Sequence, residues 1–577
     1  MSDPRASSSE SPSTTPPGLE RREFLAVLSA AGVGGGLFPG VLWARMQEAD
    51  EITPEVVEEA EKLAGLSFTP EQREMMLRGL ERNLEAYRTL RSEIEIPNGV
   101  APALHFDPVP PGREVPRGSS RVRPSAPRSL PNPSRPEELA FASLAQLGEL
   151  VRSRAVTSES LTRMYLDRLR RYGPELECVV TLTEERALEQ ARRADREMEA
   201  GRIRGPLHGI PWGAKDLLAV PGYPTTWGAA PYREQVLEDE ATVVRKLDEA
   251  GAVLVAKLTL GALAMGDVWF GGRTRNPWNR EQGSSGSSAG SAAAVVAGLV
   301  GFAIGSETLG SIVSPATRCG ATGLRPTFGR VSRHGAMALS WSMDKLGPLC
   351  RHVEDCALVL GAIQGEDGFD RTVRDVPFQW DGDAGIHDLR VGYLASAFQD
   401  EGDQGARDRQ VLEVLRGLGV ELRPVELPDE VPVSALRPIL SAEAAAAFDD
   451  LTRSGMDAML VQQGPGAWPN TFRTARFTPA VEYIQANRAR TLLMDALDRA
   501  WADVDVVVAP SFAPDLLLAT NLTGHPAVVL PHGFQNDGTP VSISFLGGLW
   551  KDGPALQVAR AYQEATEHHL RRPPGFV

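Results

Sequence analysis

Residues 283–316 read GSSGSSAGSAAAVVAGLVGFAIGSETLGSIVSPA, and the fold turns on how this run is interpreted. It opens on Gly286-Ser287-Ser288-Ala289-Gly290-Ser291 and passes into Ala/Val residues of helical character. Residues 299–304 are then apolar, which predicts a buried strand, and the run ends in Ser306-Glu307-Thr308-Leu309-Gly310-Ser311. Ser287 and Ser311, each following a glycine, stand 24 residues apart. A turn, a helix and a strand between them place both hydroxyls at one end of a sheet. A Gly/Ser linker would not run straight into AAAVVAG and an apolar strand. A phosphate-binding loop needs G-x-x-x-x-G-K-[ST], and no lysine follows these glycines. No G-x-S-x-G elbow surrounds Ser311, so an α/β-hydrolase site is not indicated.

A serine is a weak nucleophile unless a base lies within hydrogen-bond reach. No histidine occupies a recognisable catalytic setting; His208 is the nearest candidate and is read as structural. A lysine serves when burial favours its neutral form. Gly209-Ile210-Pro211-Trp212-Gly213-Ala214-Lys215-Asp216 offers one, 72 residues before Ser287 in an apolar, proline-ordered segment.

The two serine segments and this Gly-x-Pro-x-x-x-Lys-Asp element together resemble the amidase signature family over roughly residues 139–577, at close to that family's usual spacing. The resemblance implies an α/β fold with a central mixed sheet covered on both faces by helices. It further implies that Ser311 attacks the carbonyl, that Lys215 is the base, and that Ser287 relays protons across a cis peptide bond. Backbone N–H groups of Thr308, Leu309, Gly310 and Ser311 would form the oxyanion hole, where one lost donor costs on the order of 10²–10³ in rate. Four departures stand out. Glu307 and Leu309 replace the Asp and Gly of the usual Asp-Thr-Gly-Gly-Ser-Ile-Arg, Val313 replaces its Arg, and Ala289 replaces the first Gly of Ser-Ser-Gly-Gly. None removes a catalytic side chain. Trp227, Trp269, Trp341 and Met343 lie in loops flanking these motifs and are candidate walls of an acyl pocket, while Asp267 and Asp344 are candidates for a polar substrate end.

Hydrophobic residues at 42% and charged residues at 23% fit a soluble globular protein. The net charge of −15 argues against nucleic acid as a partner, because phosphate contacts need a basic face. Cys178, Cys319, Cys350 and Cys356 form no C-x-x-C pair and read as buried thiols. The nine histidines show no H-E-x-x-H spacing, so neither a metal nor any other cofactor is expected.

Three domains are expected. Residues 1–44 carry Arg21-Arg22 ahead of the apolar stretch 26–44 and resemble a twin-arginine export signal. Gly34, Gly35, Gly36 and Pro39 weaken a permanent membrane helix, which favours a removable signal over an uncleaved anchor and leaves no stable span afterwards. Residues 45–138 read as a helical extension: Val56, Val57, Ala60 and Leu63, then Met75, Met76, Leu80 and Leu84, recur at helical spacing, with Thr69-Pro70 opening the second helix. A Pro- and Arg-rich linker follows over 107–136. Residues 139–577 form the catalytic domain, with a helix ending near Gly173-Pro174, strands at Val391, Val506, Val528 and Ile543, and a more helical sub-lobe over about 370–500.

The expected function is hydrolysis of a carboxylic amide, and of esters as a side activity, by an exported enzyme acting on a small-molecule or peptide amide. A homodimer is an open arrangement. Two alternatives differ in kind. An amidotransferase A subunit, which amidates mischarged tRNA with partner subunits in the cytoplasm, is disfavoured by the export signal. A catalytically inactive binding protein is disfavoured by retention of Lys215, Ser287 and Ser311.

Overall fold

A computed structural model describes residues 52–93, 97–100, 104–126 and 135–576. The twin-arginine segment lies outside them. The chain divides into two compact units, Met1–Glu95 and Ile96–Val577, so the Pro/Arg-rich stretch groups with the larger unit.

In the first unit, α1 (Pro54–Ala64) is capped by the Thr53 hydroxyl and closed by left-handed Gly65. Helix α2 (Pro70–Glu93) starts at a reciprocal pair: Gln72 N–H donates to Thr69 Oγ1 at 3.3 Å, and Thr69 N–H donates to Gln72 Oε1 at 2.8 Å. Arg73 grips Glu61 through two bonds of 2.8 and 3.0 Å. Val57 is buried, whereas Leu63 and Met75, which likewise recur at helical spacing, are exposed.

An eleven-stranded sheet forms the centre of the second unit. In chain order its strands are β1 (Val179–Leu182), β2 (Pro211–Lys215), β3 (Val253–Leu258), β4 (Phe302–Glu307), β5 (Thr322–Arg325), β6 (Lys345–Cys350), β7 (Val391–Leu394), β8 (Leu422–Val425), β9 (Val506–Pro510), β10 (Ala527–Phe534) and β11 (Pro540–Gly547). Their spatial order is β8-β7-β9-β11-β10-β5-β6-β4-β2-β3-β1. Pairs β2–β3, β2–β4, β7–β8 and β7–β9 are parallel and the others antiparallel, so the sheet is mixed. Central strands β3, β4, β6 and β11 are buried at every residue, as expected of a sheet covered on both faces.

Three local expectations are corrected. The strand expected over 299–304 runs instead from Phe302 to Glu307. Left-handed Gly298 ends helix α5 (Ala289–Val296), and Leu299 N–H turns back to Ala294 O at 2.8 Å, so the chain is still reversing at 299. The helix expected to stop near Pro174, α4 (Ser158–Leu176), which follows α3 (Leu144–Arg152), continues two residues past it. Proline there sits in the last turn, where its missing N–H forfeits one bond. Finally, the strand expected at Val391 is present as β7, and β8, which was not expected, pairs with it and extends the central sheet. The helical part proper includes α7 (Pro438–Ala447) and α8 (Ala480–Ala500).

Among the described residues, no helix is long and apolar enough to cross a membrane. All four cysteines are free and buried.

Candidate active site

Adjacent parallel strands β2 and β4 end at the same edge of the sheet, and Lys215 is the last residue of β2. Ligand sites gather outside the carboxyl ends of such strands. Ser287 and Ser288 arrive at that edge from the start of α5, and Ser311 precedes helix α6 (Val313–Cys319). Gly305 permits the approach: a Cβ there would meet Ser288 Oγ at 2.7 Å.

Lys215 is fully buried, Ser287 is 1% exposed and Ser311 is 8% exposed. The amine therefore sits behind the serines, with Ser311 nearest to solvent. Lys215 Nζ lies 2.8 Å from Ser287 Oγ, 3.0 Å from Ser288 Oγ and 2.9 Å from Ser306 Oγ. Ser288 Oγ is committed elsewhere: it donates to Ser306 O and accepts from Ser306 N–H, each at 3.1 Å. Ser288 N–H also donates to Ser311 O at 3.1 Å, which fastens the two serine segments together. The Gly286–Ser287 peptide bond is cis.

Burial pushes the Lys215 amine well below its ordinary pKa, against the pull of the Asp344 and Glu307 carboxylates. Its neighbour Asp216 gives no counter-charge, because it is engaged with Lys257 at 2.8 Å and with Thr226 N–H at 3.0 Å.

Residues 308–311 form a loop whose geometry the glycine sets: Gly310 has φ +84°. Among the described residues, the N–H groups of Thr308, Leu309, Gly310 and Ser311 donate to no partner. The next two amides are occupied, since Ile312 and Val313 N–H donate to Glu307 Oε2 at 2.9 and 3.0 Å. Four consecutive free donors thus stop where α6 begins. Although burial would raise it, the Arg325 guanidinium (2.8 Å) and the Val313 N–H hold the Glu307 carboxyl at about 2. Asn521 adds a further bond at 2.9 Å. Thr308 Oγ1 donates to Asp344 Oδ1 at 2.5 Å.

The structure brings Lys215, Ser287 and the 308–311 loop together. It gives the other candidate residues different settings. Asp267 accepts Ser285 N–H at 2.9 Å and the Arg273 guanidinium at 3.2 Å, anchoring the loop ahead of Ser287. Asp344 serves the 308–311 loop and the N–H groups of Leu339 and Ser340. Met343 is fully buried in an apolar cluster with Leu493, Leu518 and Leu522, inside the core and away from any accessible wall. Trp227 is buried against Tyr232 and Phe448, Trp269 is buried against Phe270, and half-buried Trp341 offers its carbonyl to Arg333. His208 is held by Arg204 N–H at 3.1 Å and by Glu197, and bonds to none of the site residues.

Ser306, Ser288 as an acceptor, and the Glu307–Arg325 pair escaped the sequence reading. For Ser306 the sequence offers only a lone hydroxyl beside Glu307 at the end of the run FAIGSE, five residues before Ser311. Among the described residues, no group of three His, Cys, Asp or Glu is placed to hold a metal ion.

Fold and site together define an α/β protein whose serine site is built around a buried lysine, where many serine sites use histidine. The chain matches the Amidase family profile over residues 160–556. It is 33% identical over 484 residues to the A subunit of glutamyl-tRNA(Gln) amidotransferase from Moorella thermoacetica, covering 76% of this chain and 99% of that protein. The Pseudomonas entomophila protein of the same name is 34% identical over 480 residues, covering 75% and 99%. The crystal structure of native peptide amidase from Stenotrophomonas maltophilia is 31% identical, with a TM-score of 0.67, covering 76% of this chain and 99% of that one. The chain belongs to the amidase signature family, whose members act on amide substrates.

Proposed function

We propose that this chain breaks a carboxylic amide C–N bond through an acyl-enzyme on Ser311. The observation that carries the reading is the desolvated Lys215 amine at 2.8 Å from Ser287, whose neighbour Ser288 is bonded to Ser311. A neutral amine has two N–H groups and one lone pair. Ser288 and Ser306 take the N–H groups, and the lone pair is left for the Ser287 proton. Ser287 in turn accepts the Ser311 proton as Ser311 Oγ bonds to the carbonyl carbon. The free amides of 308–311 stabilise the resulting oxyanion. When the C–N bond breaks, the proton returns through Ser287 to the leaving nitrogen.

Two fates for the products divide the finer readings. Water takes the acyl group in a stand-alone amidase, the reading that the peptide amidase supports. In an amidotransferase A subunit the released nitrogen passes to an acceptor, and the full-length similarity to the Moorella and Pseudomonas proteins favours this assignment more strongly. Against it stands the Arg21-Arg22 segment, from which we infer export by the twin-arginine route.

Ammonia release by the purified full chain, from short peptide amides and from glutamine, separates the two. Turnover of peptide amides by the chain alone supports the amidase. No turnover alone, together with amidation of glutamyl-tRNA(Gln) once partner subunits are added, assigns the amidotransferase. Ammonia release that persists in Ser311→Ala overturns both.

A further inference from the structure

Residues 97–100 and 104–126 precede the family match at 160, yet Asn98 among them reaches the loop next to the proposed oxyanion hole. Asn98 pairs with Ala338 in both directions: its Nδ2 donates to Ala338 O at 2.9 Å, and Ala338 N–H donates to its Oδ1 at 2.7 Å. The same Nδ2 donates to Ala447 O, at the end of α7, at 3.2 Å. Asn98 thus bridges the 338–344 loop and the helical lobe.

Beyond Ala338, Leu339 and Ser340 N–H donate to Asp344 Oδ2 at 2.8 and 3.0 Å. The other oxygen of Asp344 takes the Thr308 hydroxyl. Two buried charges of the lobe brace the loop from the far side. Glu443 accepts the Ser340 hydroxyl at 2.7 Å and Ser342 N–H at 3.0 Å, and Arg490 donates to Ser342 O at 2.8 Å. The Arg490 guanidinium lies 3.5 Å from the ring centroid of Phe106, a second residue of the same stretch. Phe106 in turn packs edge-on against Phe328, 4.9 Å between centroids.

We infer that Asn98 and Phe106 clasp the oxyanion loop as positioning residues that act through the 338–344 loop, Asp344 and Thr308. Unclasping lets Asp344 shift and frees the Thr308 side chain, so the four amides lose their fixed aim. An oxyanion hole works by preorganisation, so loosened aim slows attack at Ser311 more than it weakens binding. The inference rests on the proposed role of Ser311.

The test uses the full chain and a fluorophosphonate–rhodamine probe, whose attack by Ser311 places an oxyanion in the same loop. Asn98→Ala is expected to label about tenfold more slowly at saturating probe, short of the 10²–10³ that a lost donor costs, with half-saturation unchanged. Phe106→Ala should act in the same direction. Arg113→Ala is the control: it cuts the 2.8 Å bond from the same stretch to Asp498, away from the 338–344 loop, and should label at the wild-type rate. If the stretch is merely structural, Asn98→Ala lowers the melting temperature and leaves the labelling rate of the folded fraction unchanged, which overturns the inference. Equal slowing by Arg113→Ala overturns it as well. A wild-type chain that does not label at Ser311 defeats the functional reading itself.

Discussion

The Lys215 amine faces three hydroxyls at 2.8–3.0 Å, with no carboxylate of the described residues in hydrogen-bond contact, and the proposed mechanism takes its burial as what makes it a base. Removing the amine or the nucleophile should therefore abolish turnover without unfolding the chain. Lys215→Ala and Ser311→Ala are each expected to lose on the order of 10⁴-fold or more in kcat, with a near-wild-type melting curve. Lys215→Arg should fail equally, because a guanidinium does not give up its proton. Ser287→Ala should be severely impaired and retain some turnover. The sign of the pH dependence follows from the lowered amine pKa: below it Lys215 is protonated and idle, above it neutral and active. The acid limb of kcat/KM should rise with pH through a midpoint well under the ordinary lysine value of about 10.4, and a rate falling over that range would contradict the base assignment. Lys215, Ser287 and Ser311 stand out in the sequence as candidates because each sits in a spaced motif. Ser306 does not, since a lone hydroxyl in a strand resembles any other small polar residue until the strand is placed beside β2. The tryptophans of the flanking loops were harder still, because loop position does not say which way a ring packs.

Between residue and fold stands helix α6, whose first amides are tied to Glu307. This fixes the end of the 308–311 loop and leaves the four preceding amides free. Glu307→Ala would strip those amides and leave the Arg325 charge buried and unpaired, so it should destabilise the protein by about 3–5 kcal/mol in chemical denaturation. Because the Glu307 carboxyl is held at about 2, its stabilisation is present above the ordinary carboxylate pKa and is lost as pH falls through about 2. Acid denaturation monitored by circular dichroism should show that loss in the wild type and a flatter acid limb in Glu307→Ala. The sequence located the strand and helix of this region but misplaced their junction. Apolar character marks residues 299–304 as buried, and burial is shared by a strand and by the tight reversal that left-handed Gly298 imposes. The run of helix through Pro174 has a similar origin, since a proline in a last turn leaves the same trace as one that stops a helix.

At the scale of the whole molecule, the mixed sheet sets β2 beside β4, and that adjacency gathers residues 72 and 24 apart in sequence into one cluster. Strand order of this kind is invisible to local patterning, and the family resemblance was what made the mixed sheet legible. The clasp made by Asn98 and Phe106 was not: the prolines and arginines that follow them look like a linker, and the two side chains are isolated in sequence. The proposed chemistry uses no metal, so activity should survive dialysis against EDTA, and loss that zinc restores would reopen the question. The account depends most on a neutral Lys215 arming Ser311 through Ser287. The most direct measurement is mass-spectrometric mapping of the fluorophosphonate adduct across pH, in wild type and in Lys215→Ala. A single adduct on Ser311, forming faster as pH rises and absent in Lys215→Ala, is the predicted result. An adduct on another residue, or on Ser311 at an undiminished rate without Lys215, would contradict it.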